Sequence, residues 1–229
     1  MSGDPSGSPP PGSGARYFAW LYAPAGARTG IAALFSIEHE IMTGARARLD
    51  HSVAHARLAW WQEETQRLRA SIPAHPAAQA LRNACLAAGL PAPDLCALPE
   101  LAARELARHS LGRGPATAED AAQDAALWTD GLFSPYAALA AGGAGIGSYA
   151  AALGRALHEH EHMATDRSRS ALEAQLRALP GHLTPALRGG IVWAALALRP
   201  PRAAADRREA LAQNWIAWRA ARRAMRGRT

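Results

Sequence analysis

Alanine and leucine supply most of the apolar positions of this chain, and proline and glycine punctuate them into blocks of helix length. Valine occurs only at Val53 and Val192, and isoleucine and aromatic residues are sparse, while Ala, Leu, Arg and Glu dominate. Strand formers are missing and helix formers abundant, so the expected fold is all-α. The expected organisation is a single-domain helical bundle over residues 15–229 behind a Ser/Gly/Pro-rich, disordered tail at 1–14. Pro24 suits the first turn of a helix running past Phe35 to about Gly44, and Asp50 is a candidate N-cap for a second helix ending near Ser71. Two more helices should run from Pro76 to Ala88 and from near Pro99 to a stop before Gly112. Thr117 with Asp120 forms a capping pattern for a helix through Trp128, with a break expected near Gly131 and Pro135. The glycine run from Gly142 to Gly147 should bend the chain before a helix from Ser148 to about Ala164, followed by helices near 168–179, 185–198 and 203–226.

At 229 residues, 49% hydrophobic and 19% charged, the chain can bury a core, and none of its apolar stretches approaches the roughly 18 residues of a membrane span. All 25 basic residues are arginine. Without lysine there is no Schiff-base chemistry and no Walker-type phosphate loop. The formal charge of +6 is concentrated at one end, because residues 199–229 hold nine arginines against Asp206 and Glu209. A basic end on a near-neutral body argues for contact with something anionic. Nucleic acid is the less favoured partner, since no base-reading motif accompanies the charge. Cys85 and Cys96 are eleven apart with no CxxC partner, and Met1 to Gly14 lacks a signal-peptide pattern. A cytoplasmic chain with reduced thiols is expected, with a peripheral contact at the inner membrane surface as an option.

Three local patterns are candidates for chemistry. His158-Glu159-His160-Glu161-His162 satisfies HExxH on an expected helix, where His158 and His162 share a face and form a weak candidate metal pair. Alternating His and Glu is more often a solvated polar face. Gly143-Ala144-Gly145-Ile146-Gly147 lacks both the GxGxxG spacing and a preceding strand, which leaves helix packing or a helix break as its role. Trp215, Trp218, Arg222 and Met225 recur at near-helical spacing over 203–226. A basic amphipathic helix of this kind lies on an anionic membrane, or else turns its tryptophans into the protein's own core.

Arg57-Leu58-Ala59-Trp60-Trp61 places two tryptophans about 100° apart on one helix, so that one packs inward while the other lines a groove. Together with Pro24, Arg28 and Ala33-Leu34-Phe35, in that order and spacing, this segment resembles the first two helices of the squalene/phytoene synthase family. Weaker likeness extends to Tyr136 with the Ala/Gly run after it, to Gly154-Arg155-Ala156-Leu157 and to the arginine-rich C-terminal helix. The resemblance implies a terpenoid synthase-like helical fold whose central cavity condenses two prenyl diphosphates. It also implies magnesium held by two facing aspartate-rich motifs, which lets diphosphate leave. It makes Arg28 and Arg57 candidates for an anionic head group, with Trp61 and Tyr136 as candidates for the wall of the ligand site.

The sequence departs from that pattern at the acids. The first motif would fall at Met42 to Arg46, which reads Met-Thr-Gly-Ala-Arg, and the second around Thr165 to Arg169, where only Asp166 is acidic. Phe35 to Ile41 looks more like the first helix of a non-catalytic branch of the family that includes mitochondrial assembly factors for respiratory complex I. The expectation is a squalene/phytoene synthase-like protein without catalytic residues or cofactor, acting as an isoprenoid- or lipid-binding or accessory module. The alternative is an active magnesium-dependent prenyltransferase using displaced acids such as Glu38, Glu40, Glu159, Glu161 and Asp166.

Overall fold

The structure, a computed structural model, describes residues 14–46, 50–110, 117–143, 146–199 and 207–227, with the side chains of Arg46, Ser110 and 207–210 left aside. All its regular elements among these residues are helical. In chain order they begin with α1 (Ala15–Leu21), a 3-10 turn (Ala25–Ala27), α2 (Arg28–Arg46), α3 (His51–Arg69), α4 (Pro76–Ala87) and α5 (Ala97–Ser110). They continue with α6 (Ala118–Trp128), a π turn (Thr129–Phe133), α7 (Ser134–Ala141), α8 (Gly147–Met163), α9 (Asp166–Ala178), α10 (Arg188–Ala197) and α11 (Arg207–Ala224).

Local chemistry accounts for most of the helix starts. The Asp50 carboxylate accepts the Ser52 N–H ahead of α3, and Thr117 Oγ1 accepts the Asp120 N–H ahead of α6. At α9, Thr165 and Ser168 exchange side-chain and backbone hydrogen bonds in a reciprocal cap. Pro24 sits one element earlier than expected, capping the 3-10 turn that feeds α2. Gly142 and Gly143, with φ of 60° and 79°, end α7 in the left-handed region that glycine enters without strain. The rest of the glycine run, 144–145, lies outside the described residues.

Two expectations about the elements are corrected. No helix was expected before Pro24, yet α1 forms there; it is seven residues long, too short to show a period, and it is held by packing Phe18 on Val192, Ala217 and Ala221. The expected break at Gly131 and Pro135 is absent, because α6 runs through the π turn into α7. A side chain at Gly131 would put its Cβ 2.8 Å from Leu98 Cγ, so glycine lets this turn pass close to α5. Pro135 falls in the first turn of α7, where its missing N–H does least harm.

α2 is the central element, packed against α3, α4, α5 and α7. Its inward residues Ile31, Leu34, Phe35, Ile37 and Ile41 are fully buried. Phe35 stacks on Tyr136 of α7 at 5.8 Å and meets Trp193 of α10 edge-on at 5.6 Å. Phe133 and Trp128 extend this cluster, both against Trp193. Aromatic pairs of this geometry add about 0.5–1.5 kcal/mol each beyond the area they bury. The indole N–H of Trp193 donates to Glu161 at 2.8 Å, which satisfies the one polar atom of the cluster's hub. Side chains thus fill the interior between α2, α7 and α10.

Candidate functional site

The four ligand candidates read from the sequence lie in four different environments. Arg28 begins α2, where its Nε donates to the Ala23 carbonyl while its own carbonyl accepts from the Trp20 indole. Arg57 is exposed on α3. Trp61 is buried on the same helix against His75, with ring centroids 4.9 Å apart, while its neighbour Trp60 is exposed. Tyr136 is buried in the aromatic cluster, its hydroxyl donating to the Ala19 carbonyl at 3.4 Å, and burial pushes its phenol far above the ordinary value. Arg57 and Trp61 are four apart and so on nearly the same side of α3, yet Arg57 is exposed while Trp61 is buried, and Tyr136 is consumed by core packing.

The acids have been drawn into structural pairs. Glu38, buried on α2, receives Arg16 of α1 at 2.9 Å, and Glu40 faces His75 at 3.5 Å. Glu64, fully buried on α3, accepts the N–H groups of Ala74 and His75 at 2.8 and 2.7 Å together with Arg67. It thereby ties the approach to α4 to the body of α3. Asp124, buried on α6, is held by Arg104 and Arg108 of α5. The two places where the aspartate-rich motifs would fall also have other work. Met42 and Ala45 are 4% and 2% exposed in the core, and Thr165 to Ser168 form the start of α9.

This donor set does not fit the magnesium clamps that the resemblance implies. Such clamps need several carboxylate oxygens converging on one point. Among the described residues no group of three or more His, Cys, Asp or Glu is arranged to hold a metal ion. The candidate displaced acids Glu38, Glu40 and Glu161 are each engaged with a different partner.

The His/Glu alternation on α8 is corrected from a solvated face to a half-buried one. His158 and His160 are buried, whereas Glu161 and His162 are exposed. His158 packs on Trp128 at 5.3 Å and stacks on His162 at 4.0 Å. His160 shares a 3.0 Å hydrogen bond with the Ser168 hydroxyl, and His162 Nδ1 lies 2.9 Å from the His158 carbonyl. Every second residue of a helix swings about 200°, so such an alternation spreads round the helix and cannot keep to one face. His158, Glu159 and His162 line a cavity of about 200 Å³ with Arg108, Asp124 and Met163.

A larger hollow, about 920 Å³, opens on the surface where the 3-10 turn and the start of α2 meet α4 and the end of α7. Ala27, Thr29, Ala84, Ala87, Leu139 and Ala141 are among its lining residues. The approach of α2 to α4 that forms its floor depends on Gly30, where a Cβ would meet that of Ala84 at 3.0 Å. Arg28 stands in sequence between two lining residues, Ala27 and Thr29. Sequence reasoning missed this groove because its signal is a scatter of alanines, indistinguishable in one dimension from helix propensity.

A family model described as squalene/phytoene synthase matches residues 10–122. The matched stretch takes in α1 to α5 and the start of α6. Comparison with curated proteins and with solved structures gave no match.

Proposed function

We propose that the chain, whose residues 10–122 match the squalene/phytoene synthase family model, is a non-catalytic member of that family that binds an isoprenoid or lipid chain as an accessory module. The observation that carries this reading is at the motif positions. Met42 and Ala45, within the stretch 42–46 where the family's first aspartate motif would fall, are packed into the core. A carboxylate there would need desolvation worth several kcal/mol unless a cation met it. At the second position, Asp166 lies in the exposed first turn of α9, a favourable place for an acid beside the helix N-terminus.

The apolar groove at the start of α2 is the proposed seat of the chain. Its volume of about 920 Å³ falls within the usual range for small-molecule sites, roughly 300–1,000 Å³, and its lining is mostly alanine, with Leu139 and the polar Thr29 and Asn83. A prenyl or acyl chain needs little more than such a surface, with affinity growing by about 0.8 kcal/mol for each methylene buried. Arg28, between the lining residues Ala27 and Thr29, is the candidate for a head group.

Calorimetric titration with farnesyl diphosphate, with and without magnesium, tests the reading. Binding unaffected by magnesium, and lost when Ala87→Trp fills the groove from its exposed rim, is the expected result. Binding that appears only with magnesium, or that ignores Ala87→Trp, contradicts it.

A further inference from the structure

α11 turns the ordinary rule of an amphipathic helix inside out. Its inward face consists of Ala217, Ala221 and Ala224, all buried, and these small residues let it lie close on α1 and α10. Thr184 Oγ1 donates to the Ala224 carbonyl at 2.9 Å, and a Cβ on Gly181 would come within 3.1 Å of the Gly227 carbonyl oxygen. The helix end is therefore pinned to the body. Its large apolar residues point away: Leu211, Trp215, Trp218 and Met225 are all exposed, Trp215 by 55% and Trp218 by 48%. The expectation that these tryptophans might serve the protein's own core is thus overturned, because alanines occupy the inward positions.

At about 100° per residue, Met225, Trp218, Leu211 and Trp215 succeed one another over an arc of roughly 80°. Arg222 falls within that arc, between Leu211 and Trp215, and Arg226, Arg219 and Arg223 continue from it round the outer side. The Arg219 guanidinium lies 4.4 Å from the Trp215 ring and that of Arg222 5.1 Å from Trp218. Between Leu211 and Gly227 the sequence has no acidic residue.

We propose that the outer face of α11 docks on an anionic lipid bilayer, with Leu211, Trp215, Trp218 and Met225 at the acyl boundary and Arg219, Arg222, Arg223 and Arg226 among the lipid phosphates. Charge decides the occupant. A second copy of this face would set arginines against arginines with no acid to meet them, while a phosphate-bearing surface neutralises them all. Tryptophan suits the water–lipid boundary, because its ring is apolar and its N–H finds a partner at head-group level. No helix among the described residues is long and apolar enough to cross a membrane, so the contact is one of lying on the surface. This inference does not depend on the groove or its ligand.

Co-sedimentation of the full chain with phosphatidylcholine vesicles, and with the same vesicles carrying 30% phosphatidylglycerol, tests it. Binding should rise at least ten-fold with the anionic lipid, fall with added salt, and be accompanied by a blue shift of tryptophan emission. The double substitution Trp215→Ala/Trp218→Ala should abolish the blue shift. Arg219→Gln/Arg222→Gln should weaken binding about five-fold per arginine. Circular dichroism of both variants should match the parent, since these side chains lie outside the core. Equal recovery with both vesicle types, binding unchanged in the variants, or preferential retention by nucleic acid at the same salt would overturn the proposal.

Discussion

α2 and α11 are nearly equal in length, 19 and 18 residues, but they solve opposite problems. α2 is enclosed by α1, α3, α4, α5 and α7 and turns isoleucine, leucine and phenylalanine toward them. α11 packs chiefly on α10, through alanines, and leaves its tryptophans outside. The difference teaches that the large apolar side chains of a helix show what it is meant to touch, and only the packing shows whether that partner is part of the same chain. In α2 the partner is internal, and Met42 and Ala45 are buried in that interior. In α11 the large apolar residues stay exposed.

Substitutions can break the contrast in order of size. Phe35→Ala removes a ring in contact with Tyr136 and Trp193, and should cost about 3–5 kcal/mol in chemical denaturation. A cost below about 1 kcal/mol would mean that the aromatic cluster is loosely packed. Glu64→Ala strips the Ala74 and His75 N–H groups of their buried carboxylate acceptor and should cost about 1–3 kcal/mol, measured in the same way. Ala221→Leu overfills the inward face of α11 and should also cost about 1–3 kcal/mol, whereas Trp215→Ala on the outward face should stay within about 0.5 kcal/mol. If those two costs were reversed, the assigned orientation of α11 would be wrong.

Acid should act last and most mildly. The Ser52 hydroxyl and N–H hold the Asp50 carboxyl below its ordinary value, and the Thr117 hydroxyl does the same for Asp120. For groups with depressed folded values, the stabilisation is complete above the ordinary carboxylate value, near 4, and is lost as pH falls through the lower folded values. Thermal melts should therefore decline only below about pH 4 at these caps, and Asp50→Asn should flatten part of that decline.

Much of the bundle was legible because its signals are local. Asp50 and Thr117 announce helix starts through hydrogen bonds two or three residues long, and Gly142 announces an end through its backbone freedom. α1 was not legible, because seven residues carry no period and its stability comes from Val192 and Ala217, far along the chain. The continuity through Gly131 and Pro135 was hidden for the same reason: Leu98, which makes a glycine necessary there, belongs to another helix. The candidate site was less legible still. Arg28, Arg57, Trp61 and Tyr136 follow the order of the squalene/phytoene synthase pattern in one dimension, but whether they share a pocket depends on exposure and packing. The alanine-lined groove carries no residue type that singles it out.

Incubation of the purified chain with farnesyl diphosphate and magnesium, followed by a count of diphosphate released, tests the central claim most directly. If the acid positions of the family have been given over to core packing and helix capping, release should not exceed that without protein. Turnover at enzymatic rates, abolished by chelating magnesium, would contradict the account.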